Sequence, residues 1–277
     1  MRIFVTGGTG FIGTHFLRQA IDRGHEVIAQ RRPGAQTRLP LIQDPVWVDR
    51  PLDGNFEDAL RECEVLVHLA SHTPNPPYAT LGECLYWNVQ ASLQLASQAY
   101  LCGVEKFVIA GSCFEYGLAA EGLKFITTNT PLQPTLSYPT SKAAASVAFE
   151  GFAREFQSKL KILRIFQAYG EGEDVKRFWP ALRQAALAGD DFPMSLGEQV
   201  RDFIAVEEVA KQFCDHLDFS NSIAGRPEVH HVASGHQQTL LSFAEYWWQT
   251  WHAKGSLKPG AVPYRCNEIM RLVPALN

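Results

Sequence analysis

The chain has 277 residues, 46% of them hydrophobic, enough to bury a full core as one two-lobed unit. Its net charge of −4, with basic residues scattered, leaves no electrostatic footprint for nucleic acid. No apolar run approaches the roughly 18 residues of a membrane span, and the six cysteines form no C-x-x-C pair, which predicts reduced thiols rather than disulfides or zinc.

The first strand is expected over residues 2–6, which leaves no room for a signal peptide and predicts a cytoplasmic protein. That apolar, β-branched run feeds directly into glycines. Gly8, Gly10 and Gly13 fit G-x-G-x-x-G, extended by Gly7, a pattern that lets backbone approach a pyrophosphate at the N-terminus of the next helix. Gly24 closes that helix, and His25-Glu-Val-Ile-Ala-Gln supplies a second strand. Further strand-like runs near residues 46–48, 64–70, 105–111 and 160–166 alternate with helical stretches. This alternation predicts a parallel, doubly wound sheet with its chemistry at the C-terminal ends of the strands. From about residue 168 the alternation fades and Trp, Pro and Gly punctuate shorter elements, although a strand near 229–233 is expected to return to the sheet.

Within Ser137-Tyr-Pro-Thr-Ser-Lys, Tyr138 and Lys142 stand four residues apart, which puts both on one helix face. A lysine ammonium beside a phenol stabilises its ionised form, so this pair is expected to lower the Tyr138 pKa and move a proton. The histidine pairs offer no third metal ligand, and no metal site is expected.

In this order the two motifs resemble the extended short-chain dehydrogenase/reductase family, over nearly the whole chain. Val65-Leu-Val-His-Leu-Ala looks like the family's fourth strand, Asn88 its helix asparagine, and Gly111-Ser-Cys-Phe-Glu-Tyr-Gly its serine strand. Leu163-Arg-Ile-Phe-Gln-Ala-Tyr-Gly and Gln199-Val-Arg-Asp-Phe-Ile look like its nucleotide-sugar segments. The resemblance implies an α/β fold: a doubly wound parallel Rossmann sheet over residues 1–167 and a smaller C-terminal α/β substrate lobe over 168–277. It implies a catalytic trio of Ser112, Tyr138 and Lys142, with Tyr138 and Lys142 also touching the cofactor. The other implied cofactor contacts are Gly7, Gly10, Phe11, Ile12, Gly13, Arg31, Arg32, Leu69 and Ala70. The implied substrate contacts are Ser112, Gln167, Arg177 and Arg201, with Arg201 clamping a pyrophosphate. A homodimer through a four-helix interface, built from the helices after Tyr86 and Tyr138, is also implied.

At the end of the second strand stand Gln30-Arg31-Arg32, with no carboxylate for a ribose 2′-hydroxyl and two guanidiniums for a 2′-phosphate. NADP(H) is therefore expected over NAD(H), which stays open. Asp49 and Asp53 are the nearest substitutes for an aspartate that relatives carry at Pro51. Dehydratase relatives have an Asp-Glu pair where this chain has Cys113 and Phe114, so a 4,6-dehydratase is not expected, and Cys113 is read as a core thiol. The expected reaction is NADPH-dependent reduction at C4 of a nucleotide-linked 4-keto-6-deoxy sugar, as in CDP-abequose and CDP-paratose synthases. The alternatives are an NAD-dependent 4-epimerase and a non-catalytic NADP-binding regulator. Phe178, Trp179 and Phe192 are expected mainly as core, with base stacking the lesser reading.

Overall fold

The computed structural model describes residues 1–265 and 267–276. The first half runs β1 (Arg2–Thr6), α1 (Phe11–Asp22), β2 (Glu26–Arg31), β3 (Val46–Asp49), α2 (Glu57–Leu60), β4 (Val65–His68) and α3 (Leu81–Leu85). A π-helical turn (Tyr86–Ala91) then leads into α4 (Ser92–Leu101), β5 (Lys106–Ser112), α5 (Ser137–Glu155) and β6 (Lys159–Ile165). The remainder is β7 (Gln167–Tyr169), α6 (Phe178–Ala188), β8 (Phe192–Met194), β9 (Val200–Ala205), α7 (Val206–Asp215), β10 (Glu228–Val232), β11 (Gln237–Thr239), α8 (Leu240–Thr250), β12 (Leu257–Pro259) and β13 (Arg271–Leu272).

Seven strands form one parallel sheet in the order β10-β6-β5-β4-β1-β2-β3. Its central strands are apolar on both faces because helices cover both. In β1 the alternation is visible residue by residue: Ile3 and Val5 join Phe16, Leu17 and Phe213 under α1 and α7, while Phe4 joins Leu66, Leu95 and Phe149 under α4 and α5. All seven sheet strands lie where the sequence predicts them. The returning strand β10 pairs Val232 with Ile165 at the sheet edge. The strand order places the ends of β1, β4 and β5 side by side, and the glycine turn, Ser71 and Ser112 follow those ends.

In the C-terminal third, β9 is the hub, antiparallel to β11 and parallel to β13 and β7. Behind it lies an aromatic cluster in which Phe203 and Phe243 stack with centroids 4.0 Å apart. Phe178, Trp179 and Phe192 belong to this apolar interior and do not line the central cleft.

Cys63, Cys84, Cys113 and Cys214 are buried free thiols and Cys102 is half-buried; Cys266 lies outside the described residues. Among the described residues no group of three His, Cys, Asp or Glu side chains could hold a metal, and no helix is long and apolar enough to cross a membrane.

Candidate active site

A cleft of about 690 Å³ runs over the C-terminal ends of the sheet strands. At its floor the chain turns tightly between β1 and α1. Gly7 has φ +73°, and a Cβ there would meet the Ala70 backbone at 2.5 Å; one on Gly13 would meet the Gly7 carbonyl oxygen at 2.0 Å. Only glycine fits either place. Gly10 caps α1 with no side chain in the way, so the helix N-terminus opens toward the cleft, a cradle suited to a dinucleotide pyrophosphate. Phe11, Ile12, Leu69 and Ala70 line the same space.

At the far end Arg31 and Arg32 both reach the lining, joined by Arg38, which the sequence reading missed. They are not equivalent. Arg31 is engaged by Asp49 at 2.8 Å and lies 4.8 Å over the Trp47 ring. Arg32 has no ion-pair partner among the described residues and Arg38 only the distant Asp174, at 3.9 Å. Neither substitute aspartate lines the cleft: Asp49 is held by Arg31, and Asp53 accepts the Tyr86 hydroxyl at 2.8 Å.

Ser112, Tyr138 and Lys142 meet at the cleft's inner end. Ser112, the last residue of β5, is held in two ways: its hydroxyl accepts from Phe114 N–H at 3.2 Å, and its own N–H donates to Glu115 Oε1 at 2.6 Å. Tyr138 and Lys142 come from the first turns of α5. Asn88, on the π-helical turn, spans to this helix by donating to Ser141 Oγ at 2.9 Å while accepting His72 N–H at 2.7 Å. π-Turns commonly mark functional sites.

The electrostatics differ from the expectation for the Tyr–Lys pair. Burial pushes the Tyr138 hydroxyl above its ordinary range, and the neighbours that favour its ionised form are the Ser71 and Ser112 side chains, not Lys142. Lys142 instead donates to the Ala110 carbonyl at 2.6 Å; burial lowers its pKa and the nearby Glu115 opposes that. The four-residue spacing puts both groups in one cleft, but the long lysine chain finds a backbone acceptor first. Ser71, at the end of the β4 segment, was missed, although a polar residue just past a parallel strand's C-terminus was a usable signal.

Beneath the trio runs a buried polar chain. Glu115, fully buried, accepts from Arg164 at 2.9 Å and from Ser146 at 2.8 Å; Arg164 donates to Tyr116 at 2.8 Å, and Tyr116 meets His231 at 2.6 Å. Cys113 lies in this interior, its thiol pushed up to about 12 by burial, which fits an inert core residue.

Of the expected substrate contacts, Gln167 and Arg177 line the cleft and Arg201 does not. The Arg201 guanidinium turns inward, to Glu268 at 2.9 Å and to the Ile269 carbonyl at 2.6 Å, tying the segment before β13 to β9. A carboxylate 67 residues away in sequence thus occupies the fork expected to take a pyrophosphate. Glu173 is a lining residue the sequence reading did not single out: its carboxylate accepts from Arg177 at 3.3 Å, and burial pushes it up to about 7.

The model of the NAD dependent epimerase/dehydratase family matches residues 3–226. The chain belongs to that family. It thereby joins the extended short-chain dehydrogenases/reductases, as the motifs implied. Among curated relatives, a UDP-glucose 4-epimerase of Corynebacterium glutamicum is 27% identical over 269 residues, covering 88% of this chain and 79% of the relative. A dTDP-glucose 4,6-dehydratase of Mycobacterium tuberculosis is 27% identical over 222 residues, covering 75% of this chain and 66% of the relative. Among solved structures, a Thermotoga maritima UDP-glucose 4-epimerase superposes with a TM-score of 0.86 at 22% identity, covering 99% of this chain and 90% of that one, a likeness of fold. An NAD-dependent NDP-hexosamine 5,6-dehydratase of tunicamycin biosynthesis gives 0.81 at 27% identity, covering 99% and 89%.

Proposed function

We propose that this protein is a nucleotide-sugar oxidoreductase that reduces a nucleotide-linked 4-keto-6-deoxy sugar at C4, with NADPH as co-substrate. The observation that carries the reading is Tyr138, buried beside the Ser71 and Ser112 hydroxyls in the cleft that holds the glycine turn. A nicotinamide dinucleotide bound on the glycine turn supplies hydride. Tyr138 gives its proton to the oxygen on C4 as charge develops there, a contribution worth roughly 10²–10⁴ in rate. The Ser112 hydroxyl accepts from Phe114 N–H, so its own hydrogen is available to the same oxygen. Lys142, directed by Ala110, is at hand for the nicotinamide ribose.

One feature favours reduction. At the adenosine end Arg32 and Arg38 line the cleft, with Asp174 3.9 Å from Arg38 and neither Asp49 nor Asp53 in the lining, which suits a 2′-phosphate and hence NADP(H). A 4,6-dehydratase is disfavoured because Cys113 is buried and Phe114 carries no acid.

A second reading is an NAD-dependent 4-epimerase, favoured by the UDP-glucose 4-epimerase relative that shares 27% identity over 88% of this chain. The two are separated by following NADPH and NADH consumption with CDP-, GDP- and dTDP-linked 4-keto-6-deoxyhexoses, and by identifying any dinucleotide released on denaturation. Oxidation of NADPH supports the reductase; inertness toward the panel together with co-purified NAD would move the assignment to the epimerase. A homodimer pairing α4 and α5 between copies belongs to this proposal, supported by exposed Leu101 and Val147 on those helices. Sedimentation as a concentration-independent monomer would remove it.

A further inference from the structure

Glu173 presents a problem that the chemistry at Tyr138 does not absorb. Its side chain is 7% exposed and lies on the cleft wall, yet only one of its two carboxylate oxygens has a protein partner. Oε1 accepts from Arg177 Nε at 3.3 Å, whereas Oε2 is buried and accepts from nothing in the protein. Among the described residues, six other buried side-chain atoms lack a partner, on Arg2, Arg18, Ser158, Trp179, Gln199 and Trp247, and none of those residues lines the cleft. A buried acceptor left unmatched costs about 1–3 kcal/mol, so its retention on a ligand-facing wall calls for a donor from outside the chain.

The surroundings limit what that donor is. The loop carrying Glu173 is pinned from both sides: His15 on α1 bonds the Glu171 carbonyl at 2.9 Å, Glu173 N–H returns to Gly170 O at 3.2 Å, and Arg177 N–H closes on Asp174 O at 2.8 Å at the start of α6. The backbone at Glu173 is thereby fixed, and Oε2 leaves its place only by a side-chain rotation that breaks the Arg177 bond. A phosphate is repelled by the Glu173 and Asp174 carboxylates, and Arg177 already supplies the cationic partner, so a neutral donor fits best. That burial pushes the Glu173 carboxyl up to about 7 despite Arg177 agrees with a poorly satisfied site.

We propose that Glu173, held by Arg177, is a binding residue whose free carboxylate oxygen takes a hydroxyl of the bound ligand. The hydroxyl belongs either to a ribose of the dinucleotide or to the sugar of the nucleotide-sugar. Arg177 acts electrostatically on Cys113 and Tyr78, beside Ser112 and Tyr138, which puts the pair within the field of the catalytic end. The inference rests on the nucleotide-sugar oxidoreductase reading, and equilibrium binding separates the two.

Affinities for NADPH, NADH and UDP-, dTDP-, CDP- and GDP-glucose would be measured by calorimetry for wild type, Glu173→Gln and Glu173→Met. Glu173→Met keeps length but removes both acceptors, and Glu173→Gln keeps one. The expected result is a loss of about tenfold or more in Glu173→Met, with a smaller loss in Glu173→Gln, for one ligand class. A loss confined to the dinucleotides assigns the hydroxyl to a ribose; a loss confined to the nucleotide-sugars assigns it to the sugar. Unchanged affinities in both variants, with or without a lowered Tm, would make Glu173 a structural carboxyl and overturn the proposal. Wild type failing to bind any probe would overturn the parent reading and the subsite together.

Discussion

The N-terminal sheet region and the C-terminal third each bury an arginine against a glutamate, but only the first pair is wired to the cleft. Arg164 and Glu115 are 3% and 0% exposed, and the same carboxylate receives Ser112 N–H. Arg201 and Glu268 are 9% and 19% exposed and hold the segment before β13 on β9. The same chemical pair positions Ser112 in one region and fastens chain in the other. Both pairs close over long stretches of chain, 49 residues and 67, but Glu115 also lies one turn after Ser112 and takes its N–H, whereas Glu268 holds only the C-terminal segment.

The comparison can be broken first at the glycine turn, where the sheet region has no slack. Gly13→Val should abolish dinucleotide binding, measured by nucleotide fluorescence, because its Cβ would lie 2.0 Å from a carbonyl oxygen. Retained binding would mean that the turn is not the pyrophosphate cradle. Next come the pairs themselves. Glu115→Ala leaves Arg164 buried without its carboxylate, and breaking a buried pair costs about 3–5 kcal/mol. Arg201→Met, at a more exposed pair, should cost less in chemical denaturation and leave kcat untouched. Equal losses of kcat in both variants would erase the distinction.

At the outer end of the cleft, Arg32→Ala and Arg38→Ala should each weaken NADPH more than NADH, by severalfold. Arg31→Ala should do so less, because Arg31 is spent on Asp49 and Trp47. An Arg31 effect larger than both would reverse that ranking. The smallest effect concerns pH. Burial lowers His68 to about 3 and His231 to about 4, both below the unfolded value near 6.5. The unfolded chain therefore binds protons first, so the contribution of these groups is fully present above about pH 6.5 and is lost as pH falls toward 4 and then 3. Urea midpoints at pH 7 and pH 5 should fall in that order, and less steeply in His231→Gln.

What could be read in the sequence was what is local. The seven parallel strands, the glycine turn and the Tyr138–Lys142 spacing are patterns within a few residues, Ser112 was reached through the family resemblance, and the sheet brings these residues to one cleft. What failed depended on distance along the chain. Arg201 meets a partner from the C-terminal segment, Asp49 and Asp53 are taken by Arg31 and Tyr86, and Lys142 finds the Ala110 carbonyl. Glu173 carries no signal in its own neighbourhood, because its burial comes from a loop pinned to α1 by His15, 156 residues before Glu171.

The central claim is that Tyr138 delivers the proton in a reduction fuelled from the glycine-turn end of the same cleft. Single-turnover NADPH oxidation with a 4-keto-6-deoxy nucleotide-sugar, in wild type and Tyr138→Phe, tests it most directly. The account predicts a rate loss of roughly 10²–10⁴ in the variant with NADPH affinity unchanged. Turnover in Tyr138→Phe at the wild-type rate would contradict it.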